Sequence, residues 1–174
     1  LKRTYFKLSY LLFADKKFKN QIKNGKVYDL ELNNQHQDFF IGYYHHIPWS
    51  YDDKFLAINS IVDEENINVN IIDLSNSKNI FSDLTNLWNF QQGPMLGWIP
   101  SKHSIYYNKM IDGIHKTVLY DLINRKSTSF NFPIQAVHPE ASSYLSINYS
   151  KLYQINRDYG YKNQCKKMSK YDVG

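Results

Sequence analysis

The chain has 174 residues, 43% of them hydrophobic, and a formal net charge of +5 at pH 7. This length is typical of one domain with a sizeable core. The single cysteine, Cys165, excludes an internal disulfide and a cysteine-rich zinc site.

The positive charge is confined to the two ends of the chain. Residues 1–26 carry eight Lys/Arg and one Asp, and residues 162–174 carry four Lys and one Asp, whereas residues 27–161 hold nine basic and fourteen acidic residues. A nucleic-acid surface needs basic residues clustered on the folded part, so the distribution argues against nucleic-acid binding.

We therefore predict three parts: a basic N-terminal segment (1–26), a folded body (27–161) and a basic, disordered tail (162–174). The longest apolar run near the start, residues 10–14, is too short to cross a bilayer, and no membrane partner is expected. The compartment stays open, with a slight preference for the cytoplasm.

The body predicts a succession of short β-strands separated by polar turns. Residues 27–32 alternate apolar and polar side chains with period two, and Asp112-Gly113 is a strong hairpin signal. Residues 80–92 are less strand-like, and residues 85–92 predict a loop that leads into the second repeated stretch. No stretch sustains a helical period, so the predicted class is all-β. The β-prone runs, in chain order, are 27–32, 39–44, 55–58, 67–74, 95–99, 104–108, 116–122, 133–137 and 144–148.

Three stretches repeat one pattern, in which an apolar residue and a proline precede a polar turn and a β-prone run that ends in asparagine. They are His46–Asn59, Trp98–Asn108 and Val137–Asn148, with prolines 52 and 39 residues apart. Repetition at about 40 residues, built from short strands, is typical of β-propeller blades. We predict a partial β-propeller of about three four-stranded antiparallel blades. Since propellers have about 4 to 8 blades, we expect the chain to be part of a longer protein.

The repeated segments also resemble a known superfamily. The proline turn, then Phe55-Leu56-Ala57-Ile58 and Ile71-Ile72-Asp73-Leu74, is similar to the repeats of TolB-like and WD40-like β-propellers, which include oligogalacturonate-lyase-like proteins. The resemblance spans roughly residues 40–161 and implies a propeller fold. It implies no single activity, because such repeats occur in scaffolds, peptidase accessory domains and polysaccharide lyases. The Trp-Asp and Gly-His pairs of true WD40 repeats are absent.

Polar and aromatic residues are frequent in the connectors that lead into each predicted blade, or unit. In a propeller these connectors converge near the central axis, where rings could stack on a sugar and amides could bond its hydroxyls. The candidate ligand-binding residues are His45, His46, Trp88, Asn89, Gln91, Gln92, Gln135 and Arg157.

Other prominent residues predict structure rather than function. Trp49, Trp98 and Phe55 are expected in blade cores. Asp73 and Asp121 hold the same repeat position and are expected to form turns at strand ends.

The leading hypothesis is a propeller module that binds a polar ligand, with carbohydrate as one candidate, or a protein partner at the channel face. A purely structural interaction domain is a further possibility. The sequence leaves open whether the protein is an enzyme.

The competing hypothesis follows from the resemblance and is a metal-dependent oligogalacturonate or polysaccharide lyase-like enzyme. Such propellers hold a divalent metal with several histidines and a glutamine. By resemblance, one of His45 and His46 together with Gln91 or Gln92 would supply two ligands for an ion such as manganese. The metal would polarise a uronate carboxylate while a basic side chain removes the adjacent proton. Further ligands cannot be placed from the sequence, so no metal or cofactor is part of the leading hypothesis.

Overall fold

The computed structural model describes residues 38–43 and 46–163. The predicted strand at 27–32, the basic segment 1–26, His45 and the tail from residue 164 lie outside the described residues. The elements are β1 (Phe39–Phe40), β2 (Phe55–Ile61), β3 (Ile67–Asp73), β4 (Lys78–Thr85), β5 (Gly97–Trp98), β6 (Ser104–Ile111), β7 (Ile114–Asp121), β8 (Lys126–Phe130), β9 (Ile134–Val137), β10 (Tyr144–Ser146) and α1 (Tyr149–Ile155).

The strands form two four-stranded antiparallel sheets and one hairpin. Sheet 1 has the order β1-β2-β3-β4, sheet 2 has the order β5-β6-β7-β8, and β9 pairs with β10. Each strand lies beside its neighbour in sequence, as short polar turns allow in antiparallel pairing. The all-β, antiparallel prediction is confirmed for the described residues. The third unit, however, has two strands there instead of the predicted four.

Two elements differ from the sequence-based prediction. Residues 78–85 form β4 although no strand was predicted there. The segment is less strand-like in sequence because the partly buried side of this outer strand holds Phe81 beside polar Asn79 and Asp83. The apolar residues Ile80 and Leu84 face outward, which obscures the alternation. Helix α1 was not predicted, since its seven residues are too few to show a helical period.

The three repeated stretches adopt one turn geometry. The N–H of Ser50 donates to the carbonyl of Phe55 (2.9 Å), Ile99 to Ser104 (2.8 Å) and His138 to Ser143 (2.9 Å). Ser50, Ile99 and His138 are therefore the equivalent positions. Pro100 and Pro139 follow directly, whereas Pro48 lies before the turn, so the prolines themselves are not in register.

The second repeated turn follows β3 and β7. Oδ1 of Asp73 accepts the N–H of Ser75 (2.8 Å), and Oδ1 of Asp121 accepts the N–H of Ile123 (2.9 Å). Hydrogen bonds from the backbone N–H groups and side chain of the following turn lower the pKa of Asp121. The prediction that both aspartates form turns is confirmed.

The main core lies between the facing sides of the two sheets. Ala57, Val69 and Ile71 of sheet 1 pack against Ile105 and Tyr107 of sheet 2. At the outer side of this interface, the ring of Phe81 on β4 stacks on Tyr120 of β7, with centroids 3.9 Å apart.

The predicted core aromatics occupy different environments. Trp98 packs in the interface against Phe55, and its Nε1–H donates to the carbonyl of Pro48 (2.8 Å). Trp49 pairs with Leu56 at the start of sheet 1, as Trp98 pairs with Ile105, but its side chain is 42% exposed. The core prediction is therefore right for Trp98 and Phe55 and wrong for Trp49.

Polar contacts also join the two sheets. The hydroxyl of Tyr107 donates to Asp83, and Lys109 Nζ lies 2.7 Å from both carboxylate oxygens of Asp83. In the repeated turns, His103 Nε2 lies 3.0 Å from Oδ2 of Asp52. Burial and the Asp83 hydrogen bond raise the pKa of Tyr107, so its hydroxyl stays protonated and acts as a donor.

A second core joins α1 and the chain after it to sheet 2. The rings of Tyr149 and Tyr161 stack with centroids 4.1 Å apart and pack beside Leu87, Met95 and Ile134. Burial raises the pKa of both tyrosines. Among the described residues, no helix has the length and apolar character to cross a membrane.

Candidate ligand-binding cleft

A cleft of about 260 Å³ lies where three segments meet: the β2–β3 turn, the β4–β5 connector, and α1 with the chain after it. It is open to solvent on one side and is partly aromatic and partly charged. Its walls are formed by Glu64, Glu65, Asn86, Trp88, Asn89, Phe90, Gln91, Tyr153, Arg157, Asp158, Gly160, Lys162 and Asn163.

A tight loop in the β4–β5 connector presents two of these side chains to solvent. Asn89 and Gly93 exchange backbone hydrogen bonds (3.3 and 2.8 Å), and Oδ1 of Asn89 accepts the N–H of Gln92 (2.8 Å). Gly93 has φ +64°, a left-handed conformation that favours glycine. The loop leaves Phe90 74% exposed and Gln91 exposed beside it.

Side-chain to backbone hydrogen bonds fix the three walls relative to one another. The amide of Asn89 donates to the carbonyl of Tyr159 (3.0 Å), and the amide of Asn163 donates to the carbonyl of Asn86 (2.9 Å). Trp88 Nε1–H donates to the carbonyl of Glu65 (3.0 Å). These bonds couple residues distant in sequence, so the cleft is formed by tertiary structure and not by one loop.

Close packing holds the wall contributed by α1. A Cβ at Gly160 would lie 2.1 Å from the backbone nitrogen of Tyr153, so only glycine permits this approach. Nearby, the buried His115 has its Nε2 2.6 Å from the carbonyl of Asn163. Burial lowers the pKa of His115, although that hydrogen bond acts in the opposite direction.

Three aromatic rings, which we call the aromatic platform, cluster at the cleft with interplanar angles of 43°, 30° and 60°. Centroid distances are 5.0 Å between Trp88 and Phe90, 5.9 Å between Phe40 and Trp88, and 6.4 Å between Phe40 and Phe90. Trp88 is only partly buried, so ring surface beside the cleft is open to a ligand.

Charged groups of both signs surround the platform. Glu64, Glu65 and Asp158 supply carboxylates, and Arg157 and Lys162 supply cations. Lys162 Nζ lies 3.6 Å from Oε1 of Glu65, with both side chains mostly exposed. The cleft therefore offers many hydrogen-bond donors and acceptors around an apolar surface.

The structure brings together four of the eight predicted site residues. Trp88, Asn89, Gln91 and Arg157 all line the cleft, although Arg157 is far from the others in sequence.

Three further predicted residues, which the structure describes, do not line the cleft. His46 Nδ1 lies 3.3 Å from the carbonyl of Leu96, Gln135 accepts the Tyr149 hydroxyl (2.7 Å), and Oε1 of Gln92 is buried with no hydrogen-bond partner among the described residues. His45 lies outside the described residues.

Sequence reasoning missed the acidic wall. Glu64 and Glu65 lie between the predicted strands 55–58 and 67–74 and were given no role, and Lys162 and Asn163 were assigned to the start of the predicted tail. The one available signal was the adjacent pair of acidic residues in a turn. This pair of residues does not indicate that the β4–β5 connector lies across the cleft from it.

The structure describes His46, Gln91 and Gln92 among the proposed metal ligands. Gly42 packs against Gln92, since a Cβ at Gly42 would lie 2.9 Å from the Gln92 carbonyl oxygen. The N–H of His46 donates to the carbonyl of Tyr43, the residue after Gly42 (2.9 Å). Within residues 38–43 and 46–163, no three His, Cys, Asp or Glu side chains are grouped so as to hold a metal ion.

Comparison with known proteins adds no family assignment. A scan against protein-family models, a search of curated proteins and a search of solved structures each gave no match to this chain. Function must therefore be inferred from the geometry of the cleft.

Proposed function

We propose that the two sheets and the β9–β10 hairpin are successive blades of a β-propeller whose surface cleft binds a polar ligand with an apolar face. Three features support the blade assignment: each four-stranded sheet is a meander, the sheets pack face to face, and the same turn recurs at Ser50, Ile99 and His138. A carbohydrate fits the cleft best.

The observation that carries the ligand proposal is the aromatic platform with a charged and amide rim. Sugar rings have an apolar face of C–H groups, which packs on aromatic rings, and hydroxyls at their edges, which need donors and acceptors. Phe90 and Trp88 supply the rings. Gln91, Arg157 and the carboxylates of Glu64 and Glu65 supply the polar contacts.

The mixture of charges narrows the ligand class. Three carboxylates against two cations do not form a strongly basic pocket, so a polyanion is disfavoured. A neutral or singly charged polyhydroxyl compound suits the cleft, because its hydroxyls can donate hydrogen bonds to the carboxylates and accept them from the cations. A protein partner that inserts a polar loop between Phe90 and Arg157 is the other occupant consistent with the same surface.

The metal-dependent lyase-like enzyme is the competing proposal. It draws on the resemblance to oligogalacturonate-lyase-like repeats and on the contact of Gly42, four residues before His46, with Gln92, and it needs further ligands. Metal analysis of the purified protein distinguishes the two, because a stoichiometric divalent ion such as manganese would favour the enzyme.

Glycan-array screening followed by titration calorimetry tests the binding proposal. We expect Phe90→Ala and Arg157→Gln each to weaken binding of a glycan identified on the array by about tenfold, since each removes one main contact. Phe132→Ala and Arg125→Gln are matched controls, because both side chains are exposed and neither lines the cleft. Equal binding by all four variants, or no glycan bound by the unaltered protein, would contradict the proposal.

A further inference from the structure

A second depression, a groove of about 390 Å³, lies between sheet 2 and the β9–β10 hairpin. Leu119 of β7 and Phe130 of β8 line one side, and Val137 and Tyr144 of the hairpin line the other. None of its lining residues lines the ligand-binding cleft. The groove is mainly apolar and has no role in the function proposed above.

The two sheets present equivalent faces, but the face of sheet 1 is covered more completely than the face of sheet 2. Ile71 and Leu119 stand at the same position before Asp73 and Asp121, which form the same turn. Ile71 is 0% exposed, whereas Leu119 is partly exposed.

The outermost strands of the two sheets show the same contrast. Phe81 of β4 is stacked on Tyr120 of β7. Phe130 of β8 is 44% exposed, and every residue of β8 is exposed.

The element that covers sheet 1 identifies what is missing over sheet 2. Val118, Tyr120 and Leu122, on and just after the third strand of sheet 2, pack in the interface with sheet 1. The third unit supplies only two strands among the described residues before the chain enters α1 at Tyr149. The groove over Leu119 and Phe130 therefore corresponds to the place that β7 fills over sheet 1.

The outer edge of β10 is suited to pairing. Among the described residues, no strand pairs with this edge. The His138 N–H to Ser143 carbonyl bond closes the hairpin, so by antiparallel alternation the N–H and carbonyl of Tyr144 point away from β9. Leu145 is 60% exposed. An unpaired strand edge beside an apolar groove is a typical acceptor for an added strand.

We propose that this groove accepts an extended strand from a partner polypeptide, which pairs antiparallel with β10. The strand carries an apolar, an aromatic and an apolar residue at alternate positions, and these pack on Leu119 and Phe130. We take this side-chain pattern from Val118, Tyr120 and Leu122, which cover the equivalent face of sheet 1.

Fluorescence anisotropy with a labelled peptide of the sequence of residues 115–123 tests the proposal on the full chain. We expect saturable binding. Replacing the peptide residues that correspond to Val118, Tyr120 and Leu122 with serine should weaken binding by about tenfold or more, because the anchors are lost. Methylation of the backbone nitrogen of the peptide tyrosine should weaken it similarly, because strand pairing is lost.

A filling variant locates the binding site. Ser104 lines the groove and occupies the turn position that Phe55 holds in sheet 1. Ser104→Phe should therefore fill the groove and weaken peptide binding by about tenfold. Ser127→Phe adds the same ring on β8 at a residue that does not line the groove, and it should bind like the unaltered protein.

Three results would overturn the proposal: no saturable binding at about 1 mM peptide, unchanged binding by Ser104→Phe, or equal affinity for the N-methylated peptide. The last result would identify a pocket for an aromatic side chain and not a strand acceptor. If Ser104→Phe does not fold, the two altered peptides still decide the question on the unaltered protein.

Discussion

Asn59 and Asn108 end the first two repeated stretches and hold the same position in them, but their side chains make different contacts. Asn59 and Asn108 are both 0% exposed. The side chain of Asn108 donates to the Ile134 carbonyl (2.9 Å) and the Tyr161 hydroxyl (2.8 Å), and it accepts the Ile134 N–H (2.7 Å). The amide of Asn59 has no hydrogen-bond partner among the described residues. Asn108 therefore joins sheet 2 to the third unit, and Asn59 makes no equivalent bond.

This difference predicts opposite effects of one substitution. Asn108→Leu should lower the free energy of unfolding by about 2–3 kcal/mol, because it removes the acceptor of the buried Ile134 N–H and the amide that donates to the Ile134 carbonyl and the Tyr161 hydroxyl. Asn59→Leu should be neutral or stabilising, because a buried, unpaired amide is replaced by an apolar group of similar size. Urea unfolding of both variants provides the measurement. A larger loss at Asn59 than at Asn108 would show that the hydrogen-bond assignment is wrong.

At the scale of elements, α1 is a short helix held by its cap and its packing. Its seven residues are too few to be stable alone. Oδ1 of Asn148 accepts the N–H of Lys151 (3.0 Å), and Tyr149 is buried against Tyr161. Since Tyr153 and Arg157 line the cleft, the position of α1 controls one wall of the proposed site.

The cap should be measurable by substitution. Asn148→Ala removes the acceptor for Lys151 N–H and should destabilise the protein by about 1 kcal/mol in chemical unfolding. Asn148→Asp and Asn148→Ser retain an acceptor and should stay close to the unaltered protein. If all three variants lose the same stability, Asn148 acts through packing and not as a cap.

At the scale of the whole molecule, stability depends on sheets that pack face to face more than on any single sheet. The face of sheet 1 toward sheet 2 carries Ala57, Val69 and Ile71, which are buried only because sheet 2 lies against them. A sheet on its own would leave this apolar face exposed to water. The equivalent tryptophans of the two sheets report on this packing, since Trp98 lies in the interface and Trp49 is 42% exposed.

Truncating the two tryptophans should separate these environments. Trp98→Ala removes packing against Phe55 and the bond to the Pro48 carbonyl, and it should cost about 3–5 kcal/mol. Trp49→Ala should cost less than about 1 kcal/mol, as for most exposed positions. Thermal and urea unfolding compare the two. Similar losses would mean that Trp49 is buried in solution by another part of the protein.

Much of the strand pattern and the turns could be predicted because their causes are local. Asp73 and Asp121 bond to backbone N–H groups within three residues, and Asp112-Gly113 forms the β6–β7 turn with both residues at positive φ. The repeated turn could also be recognised from the sequence, although aligning the stretches on their prolines gave the wrong register for the first one. Helix α1 and β4 were missed because packing, and not propensity, determines both.

The candidate site could be predicted only in part. Trp88, Asn89 and Gln91 lie on one connector, and their grouping follows from adjacency in sequence. Their proximity to Arg157 and to Glu65 depends on hydrogen bonds between distant segments, such as Asn89 to Tyr159. Gln135 and His46 carry suitable side chains, but their contacts lie elsewhere.

By itself, the sequence determined the all-β class, the turn positions and which connectors are rich in polar and aromatic residues, because each depends on interactions within a few residues. Only the tertiary structure decided that the third unit has two strands followed by a helix among the described residues, which connector faces which, and which apolar faces remain open. Those outcomes depend on contacts between residues far apart in the chain, where side-chain type alone does not specify a partner.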